Sequence, residues 1–193
     1  VVDSENFRVI TNIEVGSNPQ RIALQPDGKY LWVANDSTNG LSGGVTVLDT
    51  ARLAVAARIK TGAGQHAFAF SGELTGDHAH ASGTAIPGQT SYAFVANSQA
   101  GTISVIDTQS FEDHADIPIG LQPTSLDFSS LNNELYVASA TENTLVALDA
   151  SSLKVVGRID AAQGIATLRF APGGRWGFAV SPTSNTVDVI DAS

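Results

Sequence analysis

The chain has 193 residues, 42% of them hydrophobic and 15% charged, which is ordinary globular composition with length enough for a sizeable core. Its 19 acids against 10 bases give a net charge of −9, and no stripe of Lys and Arg offsets that total, so nucleic acid is excluded as the expected partner. There is no cysteine, which removes disulfides, thiolate nucleophiles, cysteine zinc sites and covalent c-type haem, and no apolar run approaches the roughly 18 to 20 residues of a membrane-spanning helix.

In chain order, the sequence opens on "VVDS", an apolar run closed by Asp3, and continues with "FRVITNIEVG". The first repeat then runs "RIALQPDGK", "YLWVAND", "GVTVLDT" and "LAVAARIKTG". The second gives "HAFAF", "YAFVANS", "TISVIDT" and "FEDHADI". The third gives "SLDFSSLNN", "LYVASA", "TLVALDA" and "LKVVGRIDAA", and the fourth ends in "GFAVSPT" and "TVDVIDA". Each run alternates apolar with polar or is briefly apolar throughout, is rich in Val, Ile and aromatics, and is bounded by Gly, Asn, Asp and Pro, which is the pattern of short β-strands. "PDGK" (Pro26 to Lys29) and "PGGR" (Pro172 to Arg175) are turn tetrads, and no window keeps a 3.6-residue period, so the expected fold is all-β.

The third run of every repeat closes on an aspartate: Asp49, Asp107, Asp149 and Asp191, with Asp3 before them. Their spacings of 46, 58, 42 and 42 residues give a period of about 42, that of a β-propeller built from four-stranded blades. The division that follows is 1–16, an outer strand of a preceding or closing blade; 17–62, blade 1; 63–120, blade 2; 121–162, blade 3; and 163–193, blade 4 without its outer strand. An aspartate at the end of a strand can accept hydrogen bonds from turn N–H groups. Asn35 and Asn97, ending the second strand, can do the same, and Pro19 and Pro123 stand where the inner strand starts and a missing donor does least harm. Asp49, Asp107, Asp149, Asp191, Asn35, Asn97, Pro19 and Pro123 are expected to be structural.

"GSNPQRIALQPDGKYLWVAND" from Gly16, "YAFVANSQAGTISVIDTQS" from Tyr92 and "GLQPTSLDFSSLNNELYVASATENTLVALDASSLKVVGRI" from Gly120 resemble the YVTN family of β-propeller repeats. The strand for which the family is named is written here as "WVAN", "FVAN", "YVAS" and "FAVS". The resemblance implies an extracytoplasmic protein, periplasmic, secreted or on the cell surface, commonly seven-bladed, that serves as a binding or scaffold module and has no catalytic residue in the motif. The chain starts at Val1 without a methionine, so the expectation is a section of a longer propeller, with a closed four-bladed ring as the competing arrangement.

One repeat departs from the rest. Between its inner and second strands the second repeat has 21 residues, Ser71 to Ser91, where the first has five, Gln25 to Lys29. The 16 extra residues explain the long spacing, and their Gly, Ser, Thr, Ala, His and Pro composition marks a surface excursion. Asp77, His78 and His80 lie within it as "DHAH", and imidazoles two apart on an extended segment share a face, as zinc or copper ligands do. His114 is expected on the same face of the propeller, with Asp113 and Asp116 beside it. His66 opens the inner strand at the other end, roughly 15 Å away at about 3.3 Å per residue, near Gly62 and Gly64, where a ligand of the axial channel would meet it. The plainer reading of all four histidines is a solvated loop and hydrogen-bonded strand ends.

No phosphate-binding Gly-rich loop and no G-x-S-x-G elbow occurs, and most carboxylates already serve the repeat, so no enzyme is expected. Three functions are compatible with the sequence: a non-catalytic scaffold that binds protein or ligand through its loops, a metal-binding or redox-associated propeller whose haem or quinone domain lies elsewhere, and a subunit of a surface lattice or filament. Protein partners or self-assembly are expected in each, and no cofactor beyond zinc or copper at the histidines.

Overall fold

The computed structural model describes residues 1–36, 43–64, 67–71, 91–120 and 122–193, and among them there are strands and turns and no helix. A short hairpin, β1 (Val2–Asp3) and β2 (Arg8–Val9), comes first. It is followed by β3 (Pro19–Leu24), β4 (Tyr30–Asn35), β5 (Gly44–Asp49) and β6 (Ala54–Lys60), which form the first four-stranded sheet. The second holds β7 (Phe68–Phe70), β8 (Tyr92–Asn97), β9 (Thr102–Asp107) and β10 (Asp113–Pro118), and the third β11 (Pro123–Ser129), β12 (Glu134–Ser139), β13 (Thr144–Asp149) and β14 (Lys154–Asp160). The fourth has three strands, β15 (Thr167–Phe170), β16 (Trp176–Ser181) and β17 (Thr186–Asp191). Every pairing is antiparallel and between neighbours in sequence, as tight turns dictate.

The register repeats with the sequence. The turn aspartate pairs with the residue five places on in the first and third sheets, Asp49 with Ala54 and Asp149 with Lys154, and the same offset joins Asp3 to Arg8 in the opening hairpin. The "FRVITNIEVG" run is laddered only at Arg8 and Val9, where β1 lies opposite, and the hairpin forms a sheet of its own rather than joining β17. All three outer strands carry a bulge at one place, which falls at Ala56, His114 and Val156. A bulge at a sheet edge bends the strand and increases its twist.

Each sheet is apolar on both faces, and the faces that meet a neighbour in sequence are buried against it. Trp32, Val45 and Val47 of the first meet Phe70, Val95 and Ile106 of the second. Phe94, Ile103 and Val105 of the second meet Leu126, Val137 and Leu148 of the third. Tyr136, Leu145 and Ala147 of the third meet Leu168, Ala179 and Ile190 of the fourth. The faces alternate because successive side chains in a strand point oppositely.

The leading strand β11 lies between β7 and β15. Toward β15 it presents polar side chains to the neighbouring backbone. Ser125 Oγ accepts from Leu168 N–H (3.0 Å), Asp127 Oδ2 accepts from Phe170 N–H (2.6 Å), and Ser129 Oγ–H donates to Gly174 O (2.6 Å). Backbone groups on a strand edge that no ladder serves are satisfied this way.

Candidate functional site

The end of the structure from which the long insertion leaves is built on the turn aspartates. Asp49 Oδ1 accepts from the N–H groups of Ala51 (2.9 Å) and Arg52 (2.7 Å), and Asp107 Oδ1 from those of Gln109 (2.7 Å) and Ser110 (2.8 Å). Asp149 Oδ1 accepts from Ser152 N–H (2.6 Å), and Asp3 Oδ1 from Glu5 N–H (2.8 Å). Asp191 Oδ1 accepts from Ser193 N–H (3.1 Å), and the Arg175 guanidinium reaches both of its carboxylate oxygens. The Arg52 N–H and guanidinium hold the Asp49 carboxyl below its ordinary range, and hydrogen bonds from Ser152 do so for Asp149. A carboxylate that receives two or three N–H bonds is favoured in its charged form.

Four residues beyond these aspartates the backbone turns left-handed, at Phe7, Leu53, Phe111 and Leu153, with φ between 52° and 60°. A non-glycine residue is strained there by about 1–2 kcal/mol. In three of the four turns its N–H bonds back to the aspartate's own carbonyl, from Leu53 to Asp49, Phe111 to Asp107 and Leu153 to Asp149 (2.9 Å each). The side chain also leaves its own sheet. Phe111 of the second sheet packs edge-on against Tyr30 (4.9 Å) and Trp32 (6.0 Å) of the first, and Leu153 of the third packs into the core shared with the second. An apolar residue four places after Asp3, Asp49, Asp107 and Asp149 is visible in the sequence, but nothing local marks it as a plug.

At the opposite end Pro19 pairs with Asn35 and Pro123 with Ser139, each pairing followed by a bulge that places Gln20 and Thr124 out of register. His66 occupies the equivalent place in the second repeat and lies outside the described residues. Asn35 Nδ2–H donates to Val33 O (3.2 Å) and Thr46 Oγ1 (3.0 Å), while Asn97 Nδ2–H donates to Thr102 Oγ1 (3.0 Å) and Ser104 Oγ (2.9 Å). Each asparagine lies against a glycine of the preceding connection. A Cβ on Gly16 would stand 2.7 Å from Asn35 Cγ, and one on Gly62 would stand 2.8 Å from Asn97 Cγ.

The insertion is clasped at its neck. Ser71 N–H donates to Tyr92 O (2.9 Å), Tyr92 N–H donates to Ser71 Oγ (2.8 Å), and Thr108 Oγ1–H donates to Ser91 O (2.9 Å). Residues 72–90, with Asp77, His78 and His80, lie outside the described residues. His114 is described. It occupies the bulge of β10, exposed, with its ring 5.4 Å from that of Tyr92, the first strand residue after the insertion. Its neighbours differ in kind: burial, and then the nearby Asp116, push the Asp113 carboxyl up, whereas Asp116 accepts from Ser104 Oγ–H (2.6 Å). Among the described residues no group of three or more His, Asp and Glu is placed to hold a metal ion.

Two clefts open at the end away from the insertion. One, of about 480 Å³, is bounded by Gln99 and Gly101 of the second sheet's turn, Gln122, and Thr141 and Glu142 of the third's. The other, of about 310 Å³, is bounded by Asn35, Thr46, Arg58 and Lys60 of the first sheet. That sheet has eight residues between its second and third strands, where the other three have four. The sequence reading passed over this second, smaller departure; residues 37–42 within it lie outside the described residues.

No protein-family model matches the sequence, and no curated protein does. Solved structures do match by shape. Hydrazine synthase from Kuenenia stuttgartiensis superposes with a TM-score of 0.73 at 22% identity over 95% of this chain and 49% of that one. Dihydro-haem d1 dehydrogenase NirN, in complex with DHE, gives 0.73 at 17% identity over 99% of this chain and 38% of that one. A functionally unknown protein from Desulfotomaculum acetoxidans gives 0.68 at 12% over 89% and 51%. The chain thus spans between 38% and 51% of the length of these structures, and its similarity to them is one of fold: an all-β array of antiparallel sheets of the propeller kind.

Proposed function

We propose that this chain is a section of an extracytoplasmic YVTN-type β-propeller, its sheets serving as blades, and that it acts as a non-catalytic scaffold holding a protein partner or ligand by its loops. The observation that carries the reading is where variation sits. The four sheets share the register of their second and third strands and an aspartate closing the third, and the first three share the left-handed plug, while the departures fall in the connections, the largest being the insertion clasped between Ser71 and Tyr92. Binding residues concentrate in loops positioned by a rigid frame. The test replaces residues 72–90 by a short turn. The shortened chain is expected to keep its strand circular dichroism and melting temperature and to lose the partner that the native chain captures from its source extract. Unchanged capture would sink the reading.

A second reading takes the insertion as part of a metal or redox site. It is favoured by His114, exposed beside Tyr92 where the insertion returns, and by the shape likeness to a dihydro-haem d1 dehydrogenase. In it His78, His80 and His114, with Asp77, bind zinc or copper. Calorimetric titration of each ion into the native chain and into the variant with His78→Ala and His80→Ala separates the two. Stoichiometric uptake that the variant loses would put this reading first.

A further inference from the structure

Each connection between sheets runs past the turn that joins the second and third strands of the following sheet, and two of them meet it through a left-handed glycine. Gly64 (φ 115°) lies against the turn of the second sheet: a Cβ there would stand 2.4 Å from Gln99 N and 2.5 Å from Ser98 Oγ, and the N–H groups of Gln99 and Ala100 donate to Ala63 O (3.1 Å each). Gly164 (φ 77°) lies against the turn of the fourth, with a Cβ position 2.5 Å from Thr183 Oγ1, and Ser184 Oγ–H donates to Gln163 O (3.2 Å). Left-handed backbone at so close an approach favours glycine.

The connection from the second sheet to the third has Gln122 at the corresponding place, and a glutamine cannot press on the turn in that way. The left-handed residue is instead Gly120 (φ 72°), whose Cβ position has nothing within 4 Å. The turn of the third sheet is tied within itself, Thr141 N–H donating to Ser139 Oγ (3.1 Å). The cleft of about 480 Å³ bounded by Gln99, Gln122, Thr141 and Glu142 is the space left between connection and turn, and both sheets that frame it have a neighbour on either side. The side chains of Gln99, Gln122 and Glu142 are exposed and, among the described residues, none of them makes a hydrogen bond or ion pair. No cation and no aromatic ring lines the cleft among those residues. Behind its wall Arg158 Nη2–H donates to Ile119 O (3.1 Å), between Pro118 and Gly120, which sets a positive charge against that of Glu142 and leaves little net field to select an ion.

We propose that this cleft binds a neutral saccharide of one or two rings. Each of the two carboxamides offers N–H donors beside a C=O acceptor, and the carboxylate accepts. Vicinal hydroxyls, which donate and accept at adjacent carbons, match that set, whereas an apolar or anionic ligand leaves it unpaired. The volume falls within the range of about 300–1,000 Å³ for small-molecule sites. The site lies at the end away from the insertion and goes beyond the scaffold reading.

Amide NMR titration of the intact chain with glucose, galactose and N-acetylglucosamine, each to about 20 mM, tests it. At least one of the three is expected to shift the amides of Gly101, Gly120 and Glu142 with a Kd of about 1 mM. Gln122→Ala and Glu142→Gln should each weaken that binding about threefold to tenfold. Gln163→Ala, an exposed amide at the closed junction with the fourth sheet, should leave it unchanged. All three positions are exposed, so each variant is expected to fold, and the spectra themselves report it. The proposal is overturned if none of the sugars moves those amides, if both cleft variants bind as the native chain does, or if spermidine moves them and the sugars do not. The chain shortened at residues 72–90 should still bind the sugar, so unchanged partner capture by it sinks the scaffold reading alone, and absent sugar shifts sink this inference alone.

Discussion

The junction between the second and third sheets and the junction between the third and fourth join the same two kinds of face with different chemistry. In the first, the leading strand of the second sheet offers Ala67, Ala69 and Ser71, and the contact is a continuous apolar core around Phe94, Leu126 and Phe128. In the second, the leading strand of the third sheet offers Ser125, Asp127 and Ser129, which bind the backbone of the fourth directly. The frame sets the spacing and twist; the side chains on the leading strand decide whether a junction depends on packed volume or on satisfied polar groups. The two should therefore fail differently.

The apolar junction should break most sharply. Phe94 is fully buried with its ring near Tyr92 (6.3 Å), so Phe94→Ala leaves a cavity with neighbours from both sheets and is expected to cost about 3–5 kcal/mol in urea unfolding. A cost under about 1 kcal/mol would mean that the two sheets close over the gap and that the junction is softer than its burial suggests. Gly62→Ala tests the same frame from the connection. The new methyl would meet the buried Asn97 side chain, which is held by Thr102 and Ser104 and has no free direction to move, and about 1–3 kcal/mol is expected. The control Gly28→Ala has open space around its Cβ, so its cost is that of the left-handed backbone alone.

The polar junction should yield less per residue. Ser125→Ala leaves the N–H of the buried Leu168 without its acceptor and is expected to cost about 1–3 kcal/mol, toward the lower end if water enters. Ser125→Thr, which keeps the hydroxyl, should recover most of that. If the alanine variant is as stable as the native chain, the side chain to backbone contacts are incidental and this junction, too, is held by its apolar core.

Much of this frame was legible in the sequence because each repeat states it independently. A period of about 42 residues and an aspartate closing each third strand are local features, and the hydrogen bonds made by Asp49, Asp107 and Asp149 are local too, reaching two or three residues ahead. The connection that carries the insertion was readable by counting. What was not readable depends on which sheet faces which. Ser125, Asp127 and Ser129 look like ordinary polar positions of an alternating strand until β15 lies beside them, and Phe111 looks like a loop residue until Tyr30 and Trp32 of the preceding sheet receive it. The bulge under His114 is shared with Ala56 and Val156, and no residue type common to the three marks it. That position is set by the repeat's backbone, which makes the histidine's exposure a property of the frame.

The finest division between the junctions concerns charge. Burial pushes the Asp127 carboxyl up, against the pull of the Phe170 N–H and of Arg169, so its folded pKa stands above the unfolded value. The charged form is then disfavoured by folding at neutral pH, and the cost is relieved as pH falls through the folded pKa toward the ordinary carboxylate range. Asp127→Asn keeps an oxygen for the Phe170 N–H and removes the charge. The variant is expected to match or exceed the native chain by up to about 1 kcal/mol at pH 7, and the difference should shrink on acidification to about pH 4. The turn aspartates run the other way: the Asp49 and Asp149 carboxyls are lowered, so their contribution is intact at pH 7 and is lost only below the ordinary range. Urea unfolding of the native chain and the asparagine variant from pH 7 to pH 3 separates the two windows. A variant less stable than the native chain at pH 7, by an amount that stays constant down to pH 4, would show that the charged hydrogen bond outweighs burial and that the polar junction is held by its carboxylate.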